Sequence, residues 1–160
     1  MAPLILCVAV FGADYTSENA VTAVQAPFAE RATEPFEPPT ISASDAERLA
    51  PLDPHELKTL AGHVGEIKTV RGKCTAAFVP KGGTVVVLNF DVNYREALTA
   101  PIFEDHFAKW PGGAEAIEEA YVGKTLLIEG LVTEYRDAPQ IKIAHPGQVR
   151  VIESAVRTSP

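Results

Sequence analysis

Between residues 62 and 153 apolar side chains recur at every second position in short runs, and that rhythm is interrupted only once. Alternation with period two marks strands that bury one face, because successive side chains leave a pleated backbone on opposite sides. In residues 70–78 the even positions are small or apolar while Arg71, Lys73 and Thr75 are polar. Lys81-Gly82-Gly83 then supplies a turn, and residues 84–90 (TVVVLNF) are β-branched enough for a second strand, so the pair reads as a hairpin. A third short strand is predicted at 99–103, after a loop holding Asp91, Asn93 and Tyr94. The fourth and fifth are predicted at 125–135 (TLLIEGLVTEY) and 139–145 (PQIKIAH), joined by Arg136-Asp137-Ala138, with 148–152 extending the last. The interruption is helical: 104–110, a Pro111-Gly112-Gly113 break, then 114–121, closed by Gly123 where a positive-φ residue suits a helix end.

Three strands, a helix and two strands is the element order of the OB-fold, a partly open Greek-key barrel. The predicted fold class is therefore all-β with one helical insertion, a five-stranded OB-fold barrel preceded by an extended Pro-rich N-terminal arm. Gly72 and Gly130 fall in mid-strand, where a small barrel needs a sharp bend or a bulge. Weak strands in an open sheet are the plainer account of the same glycines.

The arm is read from its prolines. Pro27, Pro35, Pro38, Pro39, Pro51 and Pro54 remove backbone donors and bias the preceding residues to extended conformations. This gives an arm at 1–61, the barrel at 62–153 and a tail at 154–160. A short helix around 44–49 is expected within the arm, capped by Ser42 or Ser44. The apolar run 4–13 (LILCVAVFGA) has the length of a signal-peptide core, but no basic residue precedes it. An exported (periplasmic) and a cytoplasmic location both stay open, as does a buried strand or helix for this run. Leu6 stands where a small residue would precede a lipidated Cys7. No apolar run reaches the roughly 18 residues of a membrane span.

Composition narrows the function classes. Fourteen Lys and Arg against 21 Asp and Glu give a net charge of -7 over 160 residues, which excludes a histone-like or arginine-rich polyanion binder. Most of that charge belongs to the arm: 1–61 holds nine acids and three bases, while 62–153 holds twelve acids and ten bases, a net of -2. Two cysteines make neither a disulfide framework nor a four-cysteine zinc site.

The chemical motifs point away from catalysis. Gly123-Lys124-Thr125 has the ending of a phosphate loop, yet position 118 is Glu, and the triplet follows a helix and opens a strand, the reverse of what a phosphate cradle requires. His55, His63, His106 and His145 show no i,i+3 or i,i+4 pairing that would build a helical zinc site. Glu104-Asp105-His106 sets two carboxylates beside an imidazole, but neighbours on a helix point in different directions. Cys74 has an inward phase and is expected to be inert. The chain is accordingly read as no enzyme, with no cofactor and no metal.

Several short motifs carry a resemblance: His63-Val64-Gly65-Glu66 leading to Val70-Arg71-Gly72-Lys73, Leu88-Asn89-Phe90, Gly123-Lys124-Thr125 with Glu129-Gly130, and Pro139-Gln140-Ile141 with His145-Pro146 and Gln148. Over residues 60–153 the chain resembles the small bacterial OB-fold domains of the nucleic-acid-binding type. The resemblance implies a binding module without chemistry of its own, of a kind often found in exported bacterial proteins.

An OB barrel takes a single strand across its second and third strands, flanked by the loops between strands one and two and between four and five. The candidate binding residues are Lys81 in the first loop, Tyr135 and Arg136 at the second, and Asn89, Phe90, Tyr94 and Arg95 between them. Aromatic rings stack bases for about 1–3 kcal/mol each, and cations neutralise phosphates. Against this, Phe90 and Phe103 suit the core, Tyr135 a barrel end, Lys81 a hairpin tip, and Trp110 the barrel bottom. The expected partner is single-stranded nucleic acid, DNA or RNA, bound weakly and salt-sensitively. The alternative is a structural, protein–protein interaction domain that docks in a larger assembly through its barrel and its acidic arm.

Overall fold

The computed structural model describes residues 35–153. The apolar run 4–13, Pro27 and the tail 154–160 lie outside the described residues. Eight strands form one curled, OB-like sheet. In chain order they are β1 (Thr40–Ser42), β2 (Ile67–Lys73), β3 (Ala76–Phe78), β4 (Val85–Asn89), β5 (Thr99–Phe103), β6 (Thr125–Tyr135), β7 (Ala138–Ile141) and β8 (Val149–Glu153). Three short helices accompany them: α1 (Ala43–Arg48), α2 (Leu57–Ala61) and α3 (Gly113–Tyr121). None of the described helices is long and apolar enough to cross a membrane.

The third and fourth expected strands occur at the expected residues, as β5 and β6. The first divides at Cys74. Before it, β2 runs antiparallel to β6; after it, β3 runs antiparallel to β4. The hand-over is made by the backbone, with Cys74 N–H donating to Lys124 O (2.9 Å) and Thr75 N–H to Asn89 O (2.8 Å). From β3 the ladder passes antiparallel through β4 to β5, parallel to β7, and antiparallel to β6, which pairs with β2. The path from β2 through β6, β7, β5 and β4 to β3 thus curls until both its ends belong to the one segment 67–78.

Two expectations are corrected. Residues 148–152 do not extend the last strand: a 3-10 turn at Pro146–Gln148 breaks the path, and β8 pairs instead with β6, Leu126 opposite Val151. The break is stabilised locally, because Gln148 Oε1 accepts the Ala144 N–H (2.7 Å) and the His145 N–H (3.3 Å). The mid-strand glycines carry no bulge, since the β2–β6 register runs unbroken from Ile67 opposite Leu131 to Lys73 opposite Thr125.

Residues 40–61, assigned to the arm by their prolines, supply β1, α1 and α2. β1 pairs parallel with β8, and α1 is capped by Ser42, whose Oγ accepts the Asp45 N–H (3.1 Å). Ala46 and Ile41 then cover Leu127 and Ile152. Leu52 exchanges hydrogen bonds with β2 (Leu52 N–H to Thr69 O, 2.9 Å; Arg71 N–H to Leu52 O, 3.0 Å), and Leu60 is buried in the main core.

That core holds the inward phase of the strands, Val70, Val86, Leu88, Ala100, Ile102, Ile128, Val132 and Ile141. Trp110 is buried with them, its Nε1–H donating to the hydroxyl of Tyr121 on α3 (3.2 Å). Cys74 is buried too, and burial pushes its thiol up to about 11.

Candidate functional site

If the even positions of β4 and β5 fill the core, the odd ones must face outward, and register lines them up across the sheet. One row joins Ala76, Asn89, Thr99, Gln140 and Thr133. The next joins Phe78, Val87 and Pro101, the last of them buried, and a third joins Val85 and Phe103. Asn89 to Val85 spans five residues, four steps and about 13 Å of strand. Polar and apolar rows therefore lie side by side on one outer face of β3, β4, β5 and β7. None of these outward positions is acidic, in a chain with 21 Asp and Glu.

Phe103 is 40% exposed, and Lys142 Nζ lies 5.9 Å from the centre of its ring. Phe78, two strands away on β3, is 58% exposed. The polar row is closely set: Gln140 is buried, and Asn89 Oδ1 is buried without a hydrogen-bond partner among the described residues.

The candidate residues divide by position. Lys81 is exposed in the turn between β3 and β4, at the Val85–Phe103 end of the face. Tyr94 and Arg95 lie in the loop between β4 and β5, at the opposite end, where Arg95 Nε–H donates to the Tyr94 hydroxyl (3.1 Å) and the guanidinium sits 5.5 Å from the ring centre. Tyr135 and Arg136 are at the same end, in the β6–β7 turn, with Arg136 5.2 Å from the centre of the Tyr135 ring. That turn is tight: Arg136 and Asp137 both take positive φ, 52° and 61°. Two aromatic–cation pairs thus border the polar row, of a kind worth about 0.5–1 kcal/mol at exposed sites.

Phe90 is a correction. It continues the inward phase of Val86 and Leu88, and its ring is buried in the core against Gly72. Phe103 is the reverse case, assigned to the core by its type and placed outside by its phase. Alternation with Ala100 and Ile102 is the sequence signal that marks it, and pairing with Lys142 follows from the parallel β5–β7 ladder. Among the described residues no group of three or more His, Cys, Asp or Glu side chains is placed to hold a metal ion.

No family model matches the chain, and no curated protein matches it in sequence. A solved structure does share its fold. The aspartyl tRNA synthetase from Entamoeba histolytica superposes with a TM-score of 0.50 at 13% identity, over 78% of this chain and 26% of that one. A chain from Leishmania major Friedlin assigned as an aspartyl-tRNA synthetase gives a TM-score of 0.42 at 9% identity, over 90% of this chain and 28% of its own. The OBody AM1L10, solved bound to hen egg-white lysozyme, gives 0.40 at 16% identity, over 59% of this chain and 85% of its own. The chain spans about a quarter of the synthetases it is similar to.

Proposed function

We propose that the chain is a non-catalytic OB-fold module that binds single-stranded nucleic acid across the outer face of β3, β4, β5 and β7. The observation that carries this reading is the acid-free face: in an acidic protein, the outward side chains of four adjacent strands include no carboxylate, and the exposed rings of Phe103, Tyr94 and Tyr135 on the face and at its border lie beside cations. Phe103 with Lys142 and Tyr135 with Arg136 each offer a ring for a base and a charge for its phosphate. Lys81 extends the cationic border at the other end. The Entamoeba protein is named for a nucleic acid, tRNA, and the shared fold supports the reading. A net charge of -2 over 62–153 makes the affinity modest and salt-dependent.

Fluorescence anisotropy with labelled single-stranded DNA and RNA at low salt tests this. Binding is expected to weaken as salt rises and to weaken further in Phe103→Ala and Arg136→Ala. No binding at low salt overturns it.

A second reading, docking on a protein assembly, is favoured by the exposed pair Ile67 and Leu131, register partners on the outside of β2 and β6. If it holds, Ile67→Glu abolishes co-purification of a partner while oligonucleotide binding is absent from the start.

A further inference from the structure

We propose that His55 is a pH-operated pin that fixes the loop between β4 and β5, and with it Tyr94 and Arg95, against the curled sheet; its consequence for ligand binding rests on the nucleic-acid reading above. The pin is visible as two grips by one short segment. At the far end of the loop, Leu98 N–H donates to Pro54 O (2.8 Å). At the near end, the His55 ring lies between two carboxylates, its Nδ1 2.8 Å from Asp53 Oδ1 and its Nε2 3.3 Å from Asp91 Oδ2.

Asp91 is the root of the loop. Its Oδ1 accepts the Asn93 N–H (2.8 Å), Asn93 Oδ1 accepts the Arg95 N–H (3.3 Å), and Asn93 Nδ2 donates to Glu96 Oε1 (3.3 Å). Moving Asp91 therefore moves Tyr94 and Arg95 through a chain of short polar links. The backbone bond at Leu98 has no titratable partner, so the pH-sensitive grip is the one at Asp91.

An imidazolium carries an N–H on each nitrogen and satisfies both carboxylates. A neutral ring has one N–H, keeps it at the shorter Asp53 contact, and turns the Nε2 lone pair toward the Asp91 carboxylate. The charged groups facing the ring are Asp53 from its own segment and Asp91 from the loop, both negative and both favouring the imidazolium. The hydrogen bond to Asp53 is the largest effect and holds His55 above the ordinary imidazole range; burial, the next largest, opposes it, and the charge of Asp53 with the hydrogen bond and charge of Asp91 add to it. The His55 backbone N–H keeps Asp53 below the ordinary carboxylate range. The sign follows: a raised folded-state pKa means the contact is fully present below the unfolded histidine's pKa and is lost as pH rises through the raised value.

The test follows the His55 ring by NMR between about pH 5 and 8 and, in the same samples, the exchange protection factors of the Asn93, Arg95 and Glu96 amides. Protection factors already divide out the intrinsic pH dependence of exchange. In the full chain, loop protection is expected to fall with the ring's own midpoint. Asp91→Asn is expected to give low protection at every pH, while Asp53→Asn keeps the transition and shifts its midpoint down. Loop protection that ignores pH, or that Asp91→Asn leaves unchanged, overturns the pin. Anisotropy with a labelled single-stranded oligonucleotide reads the consequence, an affinity that falls with the same midpoint. Binding that ignores pH while the loop titrates overturns the link to the ligand. No binding at any pH, with the loop titrating, retires the nucleic-acid reading and leaves the pin standing.

Discussion

Gly72 and Gly130 are required by what occupies the space beside them. A Cβ on Gly72 would meet Pro54 Cγ at 2.6 Å and Phe90 Cδ1 at 2.8 Å, and one on Gly130 would meet Ile141 Cγ2 at 2.6 Å and Gln148 Nε2 at 3.0 Å. The expected cost of Gly130→Ala, read from urea unfolding, is about 1–3 kcal/mol, the range of an overpacked core. In the sequence these glycines are visible but their reason is not, because the atoms that exclude a side chain come from residues distant along the chain. Trp110 and Tyr121 make a related case. Tyr121→Phe leaves the buried Trp110 Nε1–H without its acceptor, and a loss of about 1–3 kcal/mol is expected in the same measurement. For Cys74 the sequence was enough: its inward phase implies burial, and a thiol pushed up to about 11 is almost wholly protonated at neutral pH. In a Cys7→Ser background, a thiol reagent is expected to label the unfolded chain promptly and the native protein only at the rate of unfolding.

At the scale of elements, legibility depended on whether the signal was local. The strand at Thr125–Tyr135 and the short one at Thr99–Phe103 stand where alternation puts them, since each has its buried face written in its own residues. The helix cap was legible for the same reason as one of two serines, Ser42 or Ser44, of which Ser42 fills it. What could not be read was the docking of α2 and β1, whose residues are too few to show a period and lie among prolines. Their contribution is tertiary. Leu60 comes from a five-residue helix, yet it is fully buried in the main core. Leu60→Ala is therefore expected to destabilise the whole fold by about 2–5 kcal/mol in denaturant unfolding, where an unpacked arm would give no change. β8 failed in the opposite way. Its apolar pattern was seen, but two pairings suited it, and the Gln148 side chain that turns the chain from one to the other is a single contact that periodicity does not register.

For the molecule as a whole, curling matters more than any strand, because it gathers side chains from four segments onto a face that no stretch of sequence contains. Lys81, Tyr135 and Arg136 become candidates by assigning loops to an element order, whereas Phe103 and Lys142 meet only through the parallel β5–β7 pairing. This arrangement separates two contributions to binding. A ring stacks on a base with little dependence on salt, and a cation displaces condensed counterions from a phosphate. For single strands each phosphate neutralised contributes about 0.7 to the slope of log affinity against log salt. Lys142→Gln and Arg136→Ala are therefore each expected to flatten that slope by about 0.7, while Phe103→Ala weakens binding equally at every salt concentration and leaves the slope as it was. Anisotropy titrations across a salt series distinguish these outcomes. If both classes of variant shift the curve in parallel, these cations do not touch phosphate, and the acid-free face holds the strand by its bases, through rings and amides.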